Sequence, residues 1–105
     1  MALRRLFSNL LENAVKFGGR ARARIFREGA NAVVEIDDDG PGIPTAEQER
    51  VFEPFYRREP SRSRQTGGIG LGLAVVRSIA RGHGGDVALA NRAGGGLTAR
   101  VSLPI

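Results

Sequence analysis

The sequence predicts a two-layer α/β sandwich, in which a mixed, mostly antiparallel sheet is covered on one face by helices. Three observations carry this. Helical and alternating apolar patterns succeed one another in the order helix, strand, strand, short helix, loop, helix, strand, strand. Both strand pairs are joined by short glycine-containing turns, so they read as hairpins, and hairpins with helices make a sheet with one helical face. The 105 residues, 41% apolar and 26% charged, have ordinary globular composition and suffice for one core but not two.

Each element has its own signal. Over residues 2–17, Leu3, Leu6, Phe7, Leu10, Leu11 and Ala14 recur at the spacing of an amphipathic helix, which Gly18-Gly19 stops. Residues 20–28 alternate, placing Ala21, Ala23 and Ile25 on one face and Arg20, Arg22 and Arg24 on the other, as in a half-exposed strand. A turn at Gly29-Ala30-Asn31 leads to a second strand over 32–37 with Ala32, Val34 and Ile36 inward. Asp37 to Pro44 carries two glycines and two prolines, which makes it a loop. Thr45 and Gln48 have the spacing of a capping box, predicting a short helix over 46–52. Pro54 and Pro60 mark where that helix gives way to a polar, arginine-rich stretch over 57–67, read as a functional loop. Leu71, Leu73, Val75, Val76, Ile79 and Ala80 define a further helix ended by Gly82. Strands over 86–91 and 97–103, joined at Gly94-Gly95-Gly96, close the chain.

Composition removes several classes of function. There is no cysteine and one histidine, so disulfides, thiolate zinc sites and multi-histidine metal sites are excluded. No apolar run approaches the roughly 20 residues of a membrane span, and no signal peptide is legible. The net charge of +5 suggests an anionic partner.

Three segments carry chemistry. Asn9, Asn13 and Lys16 form one stripe along the first helix. An amide oxygen there suits Mg²⁺, which favours oxygen donors together with substrate phosphates, and Lys16 adds a point charge for those phosphates. In Asp38-Asp39-Gly40-Pro41-Gly42, a carboxylate at a strand end accepts a hydrogen bond from a group such as an adenine amine, while Gly40 and Gly42 let a flat ring approach. The acidic spacing does not fit an EF-hand. Gly67 to Leu73 runs straight into a helix, so its N–H groups can cradle an anion. It lacks the preceding strand of a dinucleotide fingerprint and the Gly-Lys-Ser/Thr of a P-loop. Between these, Phe52 and Phe55 read as core, and Arg57 as within reach of a phosphate.

In this order the motifs resemble the catalytic ATP-binding domain of sensor histidine kinases, a branch of the gyrase, chaperone, histidine kinase and mismatch-repair superfamily. Residues 9–17 (NLLENAVKF) are similar to its N box, 38–43 (DDGPGI) to its G1 box, 51–57 (VFEPFYR) to its F box and 67–76 (GGIGLGLAVV) to its G2 box. The resemblance covers nearly the whole chain. It implies a Bergerat fold holding ATP and Mg²⁺ beneath a mobile lid, residues 58–66. By the same resemblance Asn13 binds the metal, with Asn9 one turn earlier. Lys16 and Phe17 touch phosphate and adenine, Asp38 reads adenine, and Gly40 and Gly42 lie beneath the ring. Arg57 and Arg58 approach the phosphates, and Gly68, Ile69, Gly70, Leu71, Gly72 and Leu73 form the hinge and phosphate cradle. Asn13, Lys16 and Arg57 would carry the catalysis.

Further expectations follow from the resemblance. The family usually has a strand and an Asp-Pro pair before the first helix, and transfers phosphate to a histidine on a separate dimerisation domain. Neither is legible over residues 1–105, which read as a piece of a longer kinase. Its partners would be that phosphoacceptor domain and, indirectly, a response regulator. The domain would be cytoplasmic and monomeric by itself, with a parent protein that membrane anchoring would suit. His83, between glycines at a helix exit, reads as a capping residue and not the phosphoacceptor. A water-activating ATPase of the superfamily would carry a glutamate at the place of Asn9. A standalone superfamily protein kinase would share the sandwich but not these F and G2 boxes. A rival of another class, a basic nucleic-acid-binding module, rests on the net charge and the Arg20, Arg22, Arg24 stripe, and no nucleic-acid partner is expected.

Overall fold

The structure, a computed structural model, describes residues 2–53 and 72–105. Helix α1 (Ala2–Gly18) leads to strands β1 (Ala21–Glu28) and β2 (Asn31–Asp38). Two 3-10 turns follow (Thr45–Glu47 and Arg50–Phe52), then α2 (Gly72–Gly82), β3 (Asp86–Asn91) and β4 (Leu97–Pro104). The sheet order is β1-β2-β4-β3, and every pairing among the described residues is antiparallel.

One core lies between the helices and one face of the sheet. Leu6, Leu10 and Ala14 of α1 and Val76 and Ala80 of α2 meet Ile36, Val87, Ala99 and Val101 of the sheet, with Val51 and Phe52 closing one side. Burying each Leu, Val or Phe side chain contributes roughly 1.5–3 kcal/mol, so this cluster is the main force holding the two layers together. α2 ends in a Schellman motif: the Gly85 N–H reaches the Ala80 carbonyl at 2.9 Å and the Gly84 N–H reaches Arg81 at 3.0 Å. Gly84 adopts the left-handed φ of 85° that this ending requires. His83 is thus the exposed C-cap residue, in line with its reading from sequence.

Arg77 braces the side of the core. Its guanidinium lies 3.8 Å from the centre of the Phe52 ring, grips Glu49 at 2.8 and 3.1 Å, and donates to the Val87 carbonyl at 3.1 Å. That carbonyl belongs to the edge strand β3, so one side chain ties a 3-10 turn, α2 and the sheet edge together. Its buried Nε lies 3.4 Å from Asp86 Oδ1, close enough for ionic attraction but without hydrogen-bond alignment.

Three expectations are corrected. The short helix over 46–52 is two separate 3-10 turns, and the Thr45–Gln48 capping box does not form. Pro44 holds the N-cap position without a side-chain bond, and the Gln48 amide donates instead to the Ile43 carbonyl at 3.0 Å. The apolar face of β1 is only partly covered: Ala21 packs against the core, whereas Ala23 is exposed and Ile25 is 77% exposed. Helix α1 packs mainly on β2 and α2 mainly on β3, and β1 is an edge strand among the described residues. On β2, Val33 is fully buried although it faces away from the helices. It stands in register between Phe26 and Ser102, on the face that also carries the paired charges of Arg24, Glu35 and Arg100.

That second face is a ladder of ion pairs. Arg24 reaches Glu35 at 2.7 Å and Asp37 at 3.3 Å, and Arg100 reaches Glu35 at 2.8 Å and Glu28 at 2.5 Å. Thr98 Oγ1 donates to Asp37 at 2.6 Å. The β-register sets these pairs, with Arg24 opposite Glu35 and Glu35 opposite Arg100.

Candidate functional site

On α1 the core residues Leu6, Leu10 and Ala14 leave Asn9 and Asn13 on a flank, where both are half-buried, with Lys16 exposed on the same bearing. Phe17, half-buried, and Gly18 end the helix against the end of β2. β2 sends Val34, Ile36 and Asp38 toward the helices, so the Asp38 carboxylate arrives beneath the end of α1. It is 9% exposed, and its Oδ1 accepts the Gly40 N–H at 2.8 Å.

The contact between these two chain ends is too close for side chains. A Cβ on Gly40 would lie 2.6 Å from the Phe17 carbonyl oxygen and 3.2 Å from Asp38 Oδ1, and one on Gly18 would collide with Asp38 Cβ. Gly40 is therefore needed where α1 and the loop after β2 meet. Gly42 is needed for a different reason: its φ is 73°, and a Cβ there would approach Asn91 Oδ1 to 2.5 Å. Gly42 thus packs against the β3–β4 corner, a role that its place in the sequence motif does not reveal.

Asp39, next to Asp38, points the other way. Arg20 reaches it at 2.7 Å, Arg22 at 2.9 Å and Arg92 at 3.1 Å. Hydrogen bonds from Arg22, then Arg20, hold its carboxyl far below the usual carboxylate range. The two neighbouring aspartates are thereby sorted, one buried at the helix end and one tied to arginines at the surface.

The first turn of α2 begins at Gly72, and Leu73 is half-buried against the core. Phe55, Arg57, Arg58, Gly68, Ile69, Gly70, Leu71 and the lid over 58–66 lie outside the described residues. Among the described residues no group of three or more His, Cys, Asp or Glu is placed to hold a metal. The donor set still fits Mg²⁺ held jointly with nucleotide phosphates, since Asn13 offers a hard amide oxygen on a half-buried flank.

Residues that sequence reasoning missed come from the β3–β4 corner. The Asn91 amide meets both backbone groups of Ile43: its Oδ1 accepts the Ile43 N–H at 2.9 Å and its Nδ2 donates to the Ile43 carbonyl at 2.9 Å. Arg92 Nη1 donates to the Asp38 carbonyl and to Asp39 Oδ1, each at 3.1 Å. A separation of 48 residues or more leaves no local pattern that announces such contacts.

With this geometry in place, the family profile described as histidine kinase-, DNA gyrase B- and HSP90-like ATPase matches residues 1–105. The chain belongs to this family. Within the histidine kinase-, gyrase B- and HSP90-like ATPases it is similar to the sensor histidine kinase GtrS of Pseudomonas aeruginosa, 48% identical over 105 residues, 99% of this chain and 21% of that protein. Its fold is similar to that of the mycobacterial sensor histidine kinase MprB, with a TM-score of 0.84 and 33% identity over 98% of this chain and 70% of that one. It is also similar to full-length ShkA solved in complex with AMPPNP, with a TM-score of 0.78 and 29% identity over 98% of this chain and 21% of that one. The chain spans 21% of the length of GtrS and 26% of that of the sensor protein CutS of Streptomyces coelicolor. It is a domain of this ATPase family, similar to segments of sensor histidine kinases. No described helix is long and apolar enough to cross a membrane.

Proposed function

We propose that this domain binds ATP with Mg²⁺ and presents the terminal phosphate to a histidine on a separate dimerisation and phosphoacceptor domain, for relay to a response regulator. The observation that carries the reading is the buried Asp38 carboxylate at the end of β2, beside a glycine seam that leaves no side chain in its way. Oδ1 is engaged by the Gly40 N–H, and the second carboxylate oxygen accepts the exocyclic amine of adenine. Gly40 and Gly42 shape the loop beside the ring, and Phe17 packs near it. Asn9 and Asn13 line the metal and phosphate side of the pocket.

Bound Mg²⁺ would supply charge neutralisation at the phosphates, with Asn13 as its protein ligand. Lys16 adds positive charge to the phosphates. Arg57, Arg58 and the segment Gly68 to Leu73 complete the phosphate cradle, the last of these leading into the N–H groups at the start of α2. Transfer is an in-line displacement: a histidine nitrogen bonds to the γ-phosphorus as its bond to the β–γ bridging oxygen breaks, leaving ADP. Positioning and charge stabilisation carry most of the catalysis. A cytoplasmic place for the domain suits this chemistry, since ATP must reach it.

The nucleic-acid reading loses its main support. Arg20 and Arg22 are engaged by Asp39, and Arg24 by Glu35 and Asp37, so the arginine stripe is committed within the protein. Calorimetry with ATP, with and without Mg²⁺, tests the proposal. Micromolar-range binding that strengthens with Mg²⁺ is expected, and absence of ATP binding by the folded chain refutes it.

A further inference from the structure

The loop that follows Asp38 is held by two adjacent residues of another hairpin. Asn91 closes a two-point hydrogen-bonded pair with the backbone of Ile43, acting as a further strand residue would. The Ile43 carbonyl also accepts Gln48 Nε2 at 3.0 Å, so donors from two directions hold it. At the other end of the loop, Arg92 Nη1 bonds to the Asp38 carbonyl and to Asp39 Oδ1. Gly96, across the same corner, approaches the Asp38 carbonyl so closely that any side chain would collide with it. The segment Asp38 to Ile43 is therefore tied at both ends to residues 91–96, and Gly42 turns with its missing side chain facing Asn91.

From this geometry we infer that Asn91 and Arg92 are positioning residues that pre-set the loop beside the nucleobase, and that Asn91 thereby sharpens selection of adenine over guanine. The inference rests on the adenine-site reading of Asp38. The physical argument is preorganisation. A loop held in its binding shape before ligand arrives loses little freedom on binding, and the Asp38 carboxylate stays aligned with one donor pattern. A loosened loop still meets a purine but adjusts to either base. An amide side chain is uniquely suited to the task at position 91, because only Asn or Gln offers a donor and an acceptor in the spacing of a backbone pair, and Gln is one carbon too long.

The test measures ADP and GDP binding by calorimetry for the wild type, Asn91→Ala, Asn91→Asp and Asp38→Asn, with the fold checked by circular dichroism. Losing the Ile43 pair should weaken ADP binding about five- to twentyfold, with little change for GDP, so the ADP to GDP ratio falls. Asn91→Asp has the size of the native residue but sets an oxygen against the Ile43 carbonyl. It should lose at least as much ADP affinity as Asn91→Ala, whereas a space-filling role would leave it like the wild type. Faster hydrogen exchange at the Ile43 amide in both variants is the accompanying signature. Should Asn91→Ala fail to fold, the isosteric Asn91→Asp decides. Folded variants that keep wild-type ADP affinity and base ratio overturn the inference while Asp38→Asn still weakens ADP. Indifference of ADP binding to Asp38→Asn overturns the adenine-site reading itself, and this inference with it.

Discussion

Asp38→Asn and Asp39→Asn make a paired perturbation in which composition changes identically and position alone differs. At residue 38, asparagine keeps the volume of the native side chain and an oxygen for the Gly40 N–H, now 2.8 Å from Oδ1. On the proposed reading, the amide nitrogen then replaces the oxygen that accepts from the adenine amine, so a donor meets a donor. Asp38 is 9% exposed, so water does little to relieve the mismatch. Loss of a hydrogen bond to a charged group costs about 1.5–3 kcal/mol, which is roughly ten- to a hundredfold in affinity. At residue 39, the carboxylate faces Arg20, Arg22 and Arg92 at the surface; asparagine removes its charge but keeps an oxygen for Arg92, whose bond to the Asp38 carbonyl also remains, so only screened ion pairs are weakened. ATP affinity of Asp39→Asn should stay within about twofold of wild type. Calorimetry with ATP and Mg²⁺ on the two folded variants reads the difference directly. Equal losses, or a larger loss from Asp39→Asn, would refute the assignment of the two carboxylates.

Asn13→Ala should abolish the Mg²⁺-dependent gain in ATP affinity while preserving the circular dichroism spectrum, since Asn13 is half-buried at the edge of the core; an unfolded variant would make Asn13 structural. The purified chain should bind ATP without acquiring acid-labile phosphate, because His83 is the exposed C-cap of α2; label that disappears in His83→Ala would overturn this. Acid should destabilise the fold through Asp39, Glu49 and Asp86. Arg22 and Arg20 lower the Asp39 pKa, and Arg77 lowers that of Glu49. At Asp86 burial opposes ionisation, but the Arg81 hydrogen bond and the Val87 N–H outweigh it. Each folded pKa lies below its unfolded value, so the unfolded chain takes up protons first. The stabilisation is complete above about pH 5, beyond the ordinary range of an unfolded Asp or Glu, and is lost progressively as the pH falls from there toward the depressed folded values. Melting temperatures measured from pH 6 to pH 2 should fall, and a rise on acidification would contradict the ion-pair assignments.

Much of the fold was legible because its signals are local. Leu6, Leu10 and Ala14 lie within one or two helical turns of each other, so the helical period alone placed them on the core face and set Asn9, Asn13 and Lys16 beside it. The hairpin of β1 and β2 was announced by alternation on either side of a glycine turn. The separation of Asp38 from Asp39 came from the structure: β2 runs through Asp38, one residue further than the loop boundary read from sequence, so Asp38 and Asp39 leave the strand end in opposite directions. The capping box failed for an equally local reason: Gln48 found a better partner in the Ile43 carbonyl, and the residue ahead of Thr45 is a proline.

What the sequence by itself determined, then, is periodicity, turn chemistry and the order of the motifs, which suffice for the sandwich and for most of the candidate site. Only the tertiary structure decided which strand lies at the edge, and hence that Ile25 is exposed despite its place in an apolar alternation. It alone gave Asp39 its three arginines, Val33 its cover, and Ile43 its partner 48 residues away. The reason is physical. Helical and strand periods are properties of neighbouring residues, whereas strand order and register arise when distant segments close on one core, and a side chain at position 91 has no partner until β3 and β4 have docked beside β2.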